Sequence, residues 1–142
     1  MPKLSKSVFL SYASADRELA QKVAENLSQA GFQIWDPDRE ILPGSDWTTL
    51  LKKALDGAFA LVVFISPEAT QSRSVSREIG YALGAKHLRG RLIPVVLRPT
   101  HEAPWILDTL QPVAYEGPRK TGQHIIRRLN QPPHVAQTKR SA

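Results

Sequence analysis

Short apolar runs bounded by polar residues alternate along the chain with longer stretches whose apolar residues recur every three or four positions. Residues 7–11 (Ser-Val-Phe-Leu-Ser) have the first pattern and predict a strand. Residues 16–30 have the second, with Leu19, Val23, Leu27 and Ala30 on one helical face and Gly31 as the stop. Ser14 and Asp16 are candidate caps for that helix, because each offers a side-chain oxygen to free backbone N–H groups. Residues 32–35 read as a second short strand, and residues 36–45 as a loop broken by Pro37, Pro43 and Gly44. Ser45 then predicts the cap of a second helix. Its apolar stripe is Trp47, Leu50, Leu51, Ala54 and Leu55, and Gly57 ends it.

Residues 59–65 are a continuous β-branched and aromatic run, which predicts a central strand buried on both faces. A polar stretch over 68–74 leads into a third helix that reaches Leu83 and stops at Gly84. Residues 92–97 predict a fourth strand, in which Pro94 must occupy a position that needs no ladder donor. A short helix over 104–110, a last strand over 113–115 and a closing helix over 122–130 complete the pattern. Residues 1–6 read as a lead-in and 131–142 as a disordered tail, leaving one domain over 7–130. Five strands alternating with helices specify an α/β fold: a parallel sheet with helices on both faces. The flavodoxin-like order 2-1-3-4-5 is expected of such a sheet, with a ligand crevice beyond the carboxyl ends of strands one and three. Those ends carry residues 11–16 and 66–78, so function is sought there.

Composition narrows the chemistry. The chain has 142 residues, a formal net charge of +6 and no cysteine, which excludes disulfides, thiolate nucleophiles and Cys-ligated metals. No pair among His87, His101, His124 and His134 has metal-ligand spacing, so no metal is expected and each histidine reads as a surface residue. Three of the cations, Lys3, Lys139 and Arg140, fall in the end segments, and the rest are scattered without interleaved aromatics. Specific nucleic-acid binding is therefore not expected. No apolar run is long enough to span a membrane and the amino terminus does not read as a secretory signal, so a cytoplasmic protein is expected. Neither a glycine-rich dinucleotide fingerprint nor a nucleophile elbow is present.

Glu78 stands out. At about 100° per residue it lies beside the stripe of Val75, Ile79 and Ala82, bordering the buried face of the third helix next to the crevice. Two roles remain open for it, a partner of the helix dipole or a catalytic carboxylate.

Three motifs in order resemble Toll/interleukin-1 receptor (TIR) domains across about residues 5–130. Residues 7–16, with Phe9, Ser11 and Tyr12, resemble the first motif. Residues 38–44 followed by Trp47 resemble the second, the Pro-Gly "BB" loop. Residues 72–78 are similar to the third-helix motif that holds the glutamate of NAD-cleaving members. The bacterial type is the nearer likeness. The resemblance implies an NAD+ glycohydrolase or ADP-ribosyl cyclase in bacterial defence or virulence signalling, with NAD+ as substrate and no resident cofactor. It implies Glu78 as the catalytic residue, with Ser11, Tyr12, Ser14, Trp47 and Ser74 around the substrate. It also implies assembly with other TIR domains through Arg39, Ile41, Leu42, Pro43 and Gly44, gathered by a separate sensor or activator chain. The alternative is a noncatalytic interaction module that uses the same loop. One position departs from the pattern: many active bacterial members carry Trp four residues before the glutamate, where this chain has Ser74. Trp35 and Trp47 are the candidates to replace its stacking face.

Overall fold

The computed structural model describes residues 6–133; residues 1–5 of the lead-in expected over 1–6 and residues 134–142 of the tail expected over 131–142 lie outside the described residues, His134 among them. Five strands, β1 (Ser7–Ser11), β2 (Gln33–Trp35), β3 (Ala60–Ile65), β4 (Leu92–Val96) and β5 (Val113–Ala114), form one parallel sheet in the order β2-β1-β3-β4-β5. The helices are α1 (Arg17–Gln29), α2 (Pro37–Glu40), α3 (Trp47–Asp56), α4 (Pro67–Thr70), α5 (Arg73–Gly84) and α6 (Pro118–Leu129), with short 3-10 turns at Ser14–Asp16, Lys86–Leu88 and Trp105–Leu110. The fold class and strand order are those the apolar pattern predicts.

All six residues of β3 are buried, and the two-residue pleat sorts them between two cores. Ala60, Val62 and Phe64 join Val8 and Leu10 of β1 beneath α1 and α6. Leu61, Val63 and Ile65 join Phe9 beneath α3 and α5. Fully burying a side chain such as Phe64 stabilises the fold by about 1.5–3 kcal/mol. The same alternation turns Ser11, two residues after Phe9, towards α5, and this is how the sheet positions the site.

Pro94 pairs with Val63 in mid-strand without breaking the ladder. Leu97 N–H donates to Ile65 on the β3 side, while Val96 C=O accepts from Tyr115 on the β5 side. Even-numbered residues of β4 therefore turn their backbone groups towards β5, which begins only opposite Val95. Pro94 faces the gap below that start, where no donor is required.

Local chemistry corrects several boundaries. Neither Ser14 nor Asp16 caps α1 with its side chain. Asp16 is buried instead, accepting hydrogen bonds from Ser66 Oγ and from Arg98 at 2.8 Å. Asp46, not Ser45, caps α3 by accepting from Thr49 N–H. The loop expected over 36–45 opens with α2, and the polar stretch over 68–74 contains α4. Each of these one-turn helices starts with a capping side chain, Asp36 or Ser66, followed by proline at the first helical position.

The closing helix α6 begins at Pro118, not at Gly122. Gly122 is buried inside it, where a Cβ would lie 2.7 Å from Asn26 Cβ on α1. Of the histidines read as surface residues, His87 and His101 are exposed, whereas His124 is half-buried in α6. No helix among the described residues is long and apolar enough to cross a membrane.

Candidate functional site

β1 ends in Ser11 and continues into Tyr12 and Ser14, while the segment after β3 leads into α5 with Ser72 as its cap. Ser72 Oγ accepts from Val75 N–H at 3.2 Å, which sets Arg73 as the first helical residue. Glu78 is thus in the second turn of α5. Dipole stabilisation fades beyond the first turn, so the dipole-partner role does not describe Glu78. Its side chain points inward, is 4% exposed, and accepts a 2.6 Å hydrogen bond from Ser11 Oγ on Oε1.

Glu78 lies at the wall of an open cavity of about 390 Å³. Tyr12 and Ser14 line one side, Ser72, Ser74 and Arg77 another, and Pro37, Asp38, Ile41, Trp47 and Leu51 the third. That volume falls in the lower part of the range for small-molecule sites. Burial pushes the Glu78 carboxyl up to about 7, against the opposing pull of the Ser11 hydrogen bond and the Arg77 charge. A carboxylate poised near neutrality beside a cleft is the kind of group that serves as an acid, a base or a stabiliser of developing positive charge.

The aromatic groups divide. Trp35 stacks on Phe9 with ring centroids 5.0 Å apart and belongs to the packing around the α3–α5 core. Trp47 and Leu50 do not bury with their predicted stripe, Leu50 being 36% exposed. Leu51 and Leu55 enter the core, but Trp47 remains 47% exposed and lines the cavity under the Arg77 guanidinium, which lies 5.1 Å from its ring centroid. Ser74 is exposed across the same cavity and pairs with Ser72 at 3.1 Å.

Asp36 fixes the start of the loop that follows β2. It is buried and accepts from Tyr12 Oη, from Gln21 at 2.8 Å and from Asp38 N–H at 3.0 Å. Burial and the Asp36 carboxylate hold the Tyr12 hydroxyl well above its ordinary pKa, so it is a hydrogen-bond donor at all working pH values. Arg17 adds a 2.6 Å ion pair to Asp38. Beyond this anchor the loop turns outward. Ile41 faces the cavity, Leu42 is 61% exposed, and Pro43 and Gly44 are exposed, with Gly44 at φ +87°. Arg39 is exposed and turns away, lining a second cavity against α1 and β2.

The structure therefore gathers Glu78, Tyr12, Ser14, Trp47, Ser74 and Ile41 at one cavity, sets Ser11 fully buried behind Glu78 instead of on the lining, and leaves Arg39, Leu42, Pro43 and Gly44 outside it. Sequence reasoning missed Asp36 and Arg77. Asp36 carried a signal, since an acidic residue before proline is a helix start. Arg77 carried none, because its contact with Trp47 joins two helices far apart in the chain.

The family model for the TIR domain matches residues 8–129. The backbone is similar to the TIR domain of the Toll-related receptor TRR-2 from Hydra magnipapillata, with a TM-score of 0.72 and 19% identity over 87% of this chain and 98% of that one. A TIR-STING receptor from C. gigas gives 0.70 and 23% identity over 88% of this chain and 39% of its own. A prokaryotic SEFIR domain gives 0.67 and 15% identity over 96% of this chain and 100% of that one. At these identities the likeness speaks to the fold. No curated protein matches the chain by sequence.

Proposed function

The chain belongs to the TIR domain family, and we propose that it cleaves the nicotinamide–ribose bond of NAD+, with Glu78 as the catalytic carboxylate. The observation that carries this reading is a 4% exposed carboxylate held by Ser11 at the wall of an open cavity of about 390 Å³. Nicotinamide is already cationic in NAD+ and departs neutral, so no general acid is required. What the reaction needs is stabilisation of the positive charge that develops on the ribose. One buried carboxylate supplies it, and does so more strongly in a low-dielectric wall than in water. The single carboxylate contrasts with the acid pair of ordinary glycosidases.

Ser11 occupies Oε1 and leaves Oε2 for the ribose. The cationic substrate itself favours the ionised form of a group that titrates near 7. Trp47, opposite Ser74, offers the aromatic face that the family pattern places on α5. TIR domains interact with one another, and we assign self-assembly here to the loop carrying Leu42, whose exposed side chain adjoins the cavity-lining Ile41.

The test is concentrated protein incubated with NAD+, with nicotinamide separated from ADP-ribose and cyclic products. Release that disappears in Glu78→Gln supports the reading. No release from assembled protein sinks it and leaves the noncatalytic interaction module, which the exposed Leu42 favours.

A further inference from the structure

Three charged side chains line the cavity: Asp38, Arg77 and Glu78. Asp38 is neutralised by Arg17 at 2.6 Å, and Glu78 is held by Ser11. Arg77 is the one cation among the lining residues, and no described carboxylate lies within ion-pair distance of it. Its guanidinium instead lies over the Trp47 ring, with Cζ 5.1 Å from the centroid. A cation–π contact of this kind restrains the guanidinium without using its donors. No hydrogen bond or ion pair among the described residues engages the Arg77 N–H groups, which remain available to a bidentate acceptor.

We propose that Arg77, held by Trp47, is the phosphate-reading residue of this cavity and selects nucleotides bearing a pyrophosphate over the free nucleoside. The inference rests on the reading of the cavity as a dinucleotide site and adds to it the group that recognises the phosphates. Arg77 precedes Glu78 in the chain, so the two charges stand side by side on α5 about 100° apart around the helix. In a nicotinamide nucleotide the glycosidic carbon and the first phosphorus are separated by one ribose and its 5′ oxygen. A ribose set against Glu78 therefore presents its phosphate to the neighbouring cation. Trp47 links the two elements that would clamp the ligand, because its indole belongs to α3 and the guanidinium to α5. Phosphate favours arginine for its fork of donors, which makes the lysine variant informative.

The experiment has two readouts. In calorimetric titration, ADP-ribose supplies the pyrophosphate without nicotinamide. Arg77→Gln is expected to weaken its binding about tenfold, a loss of about 1.4 kcal/mol, with partial recovery in Arg77→Lys. In steady-state assays, the ratio of kcat/KM for NAD+ to that for nicotinamide riboside is expected to fall about tenfold in Arg77→Gln, mainly through KM. A purely structural contact between α3 and α5 would lower the melting temperature of Arg77→Gln and leave that ratio where it was. ADP-ribose affinity unchanged in Arg77→Gln, or no binding to the unmodified protein, overturns the inference. Cleavage of NAD+ with an unchanged substrate ratio overturns it while the catalytic reading stands. Arg77-dependent binding of ADP-ribose without any nicotinamide release overturns the catalytic reading and leaves this one in place.

Discussion

The Ser11 hydroxyl donates a 2.6 Å hydrogen bond to Glu78 Oε1, joining the end of β1 to the second turn of α5 across 67 positions of sequence. Both groups are buried, Ser11 completely. The orientation of the carboxylate and its proton affinity are therefore set by the same contact.

That contact predicts a pH profile. With Glu78 at about 7 and its ionised form required, kcat/KM for NAD+ should rise about tenfold per pH unit and level off above about pH 7. The Ser11 bond favours the charged form, so Ser11→Ala should move the rising limb to higher pH. A profile whose limb stays in place in Ser11→Ala would separate Glu78 from the ionisation that controls rate.

Stability should carry the opposite signature. The folded chain keeps the Glu78 proton between the ordinary glutamate value of 4.5 and about 7, whereas the unfolded chain releases it. The contribution of Glu78 is therefore fully present below pH 4.5 and is lost as pH rises towards 7. Glu78→Gln removes the cost of the buried charge and should stabilise the fold above pH 7 by up to about 3 kcal/mol. Urea titrations of both proteins at pH 4 and pH 8 measure the difference, and equal gaps at the two pH values would contradict the assignment.

A third expectation concerns packing. Gly122 lets α6 approach α1, and a Cβ there would meet Asn26 Cβ at 2.7 Å and Cγ at 3.3 Å. Alanine gains about 1 kcal/mol of helix propensity over glycine, but overpacking against the root of a neighbouring side chain costs about 1–3 kcal/mol. Gly122→Ala should therefore lose about 1 kcal/mol net. A higher denaturation midpoint in the variant would show that the helices part without penalty.

The loop gives a fourth. Leu42 is 61% exposed and makes no contribution to either core. Leu42→Asp should leave the melting transition unchanged while suppressing self-association, and with it any steep dependence of nicotinamide release on protein concentration. Sedimentation at graded concentrations checks the first effect and the NAD+ assay the second.

The sheet order was legible because β3 is apolar at every position and the flanking helices keep a clear stripe; such patterns reflect burial, which the fold preserves. Glu78 was legible for a related reason, since helical geometry placed it at the edge of a stripe next to the crevice. Pro37 reads in the sequence as a loop breaker, although Asp36-Pro37, like Ser66-Pro67, starts a helix. A cap followed by proline looks the same as a breaker until the next turn is known. Asp16 was misread as a cap because its partners, Ser66 and Arg98, lie 50 and 82 positions away. The Arg77–Trp47 contact was invisible on the same grounds: nothing local marks a surface arginine as the cover of a distant indole.

Asp36 is pinned by Tyr12, Gln21 and its own loop, and Asp46 restarts regular structure at α3. The segment between them is anchored at its first end by the buried Asp36 and at its second by the local Asp46–Thr49 cap. Within it Leu42 is 61% exposed while Ile41, one peptide away, lines the cavity. A partner seated on Leu42 would therefore stand one residue from the lining of the cavity, with no relay through the sheet.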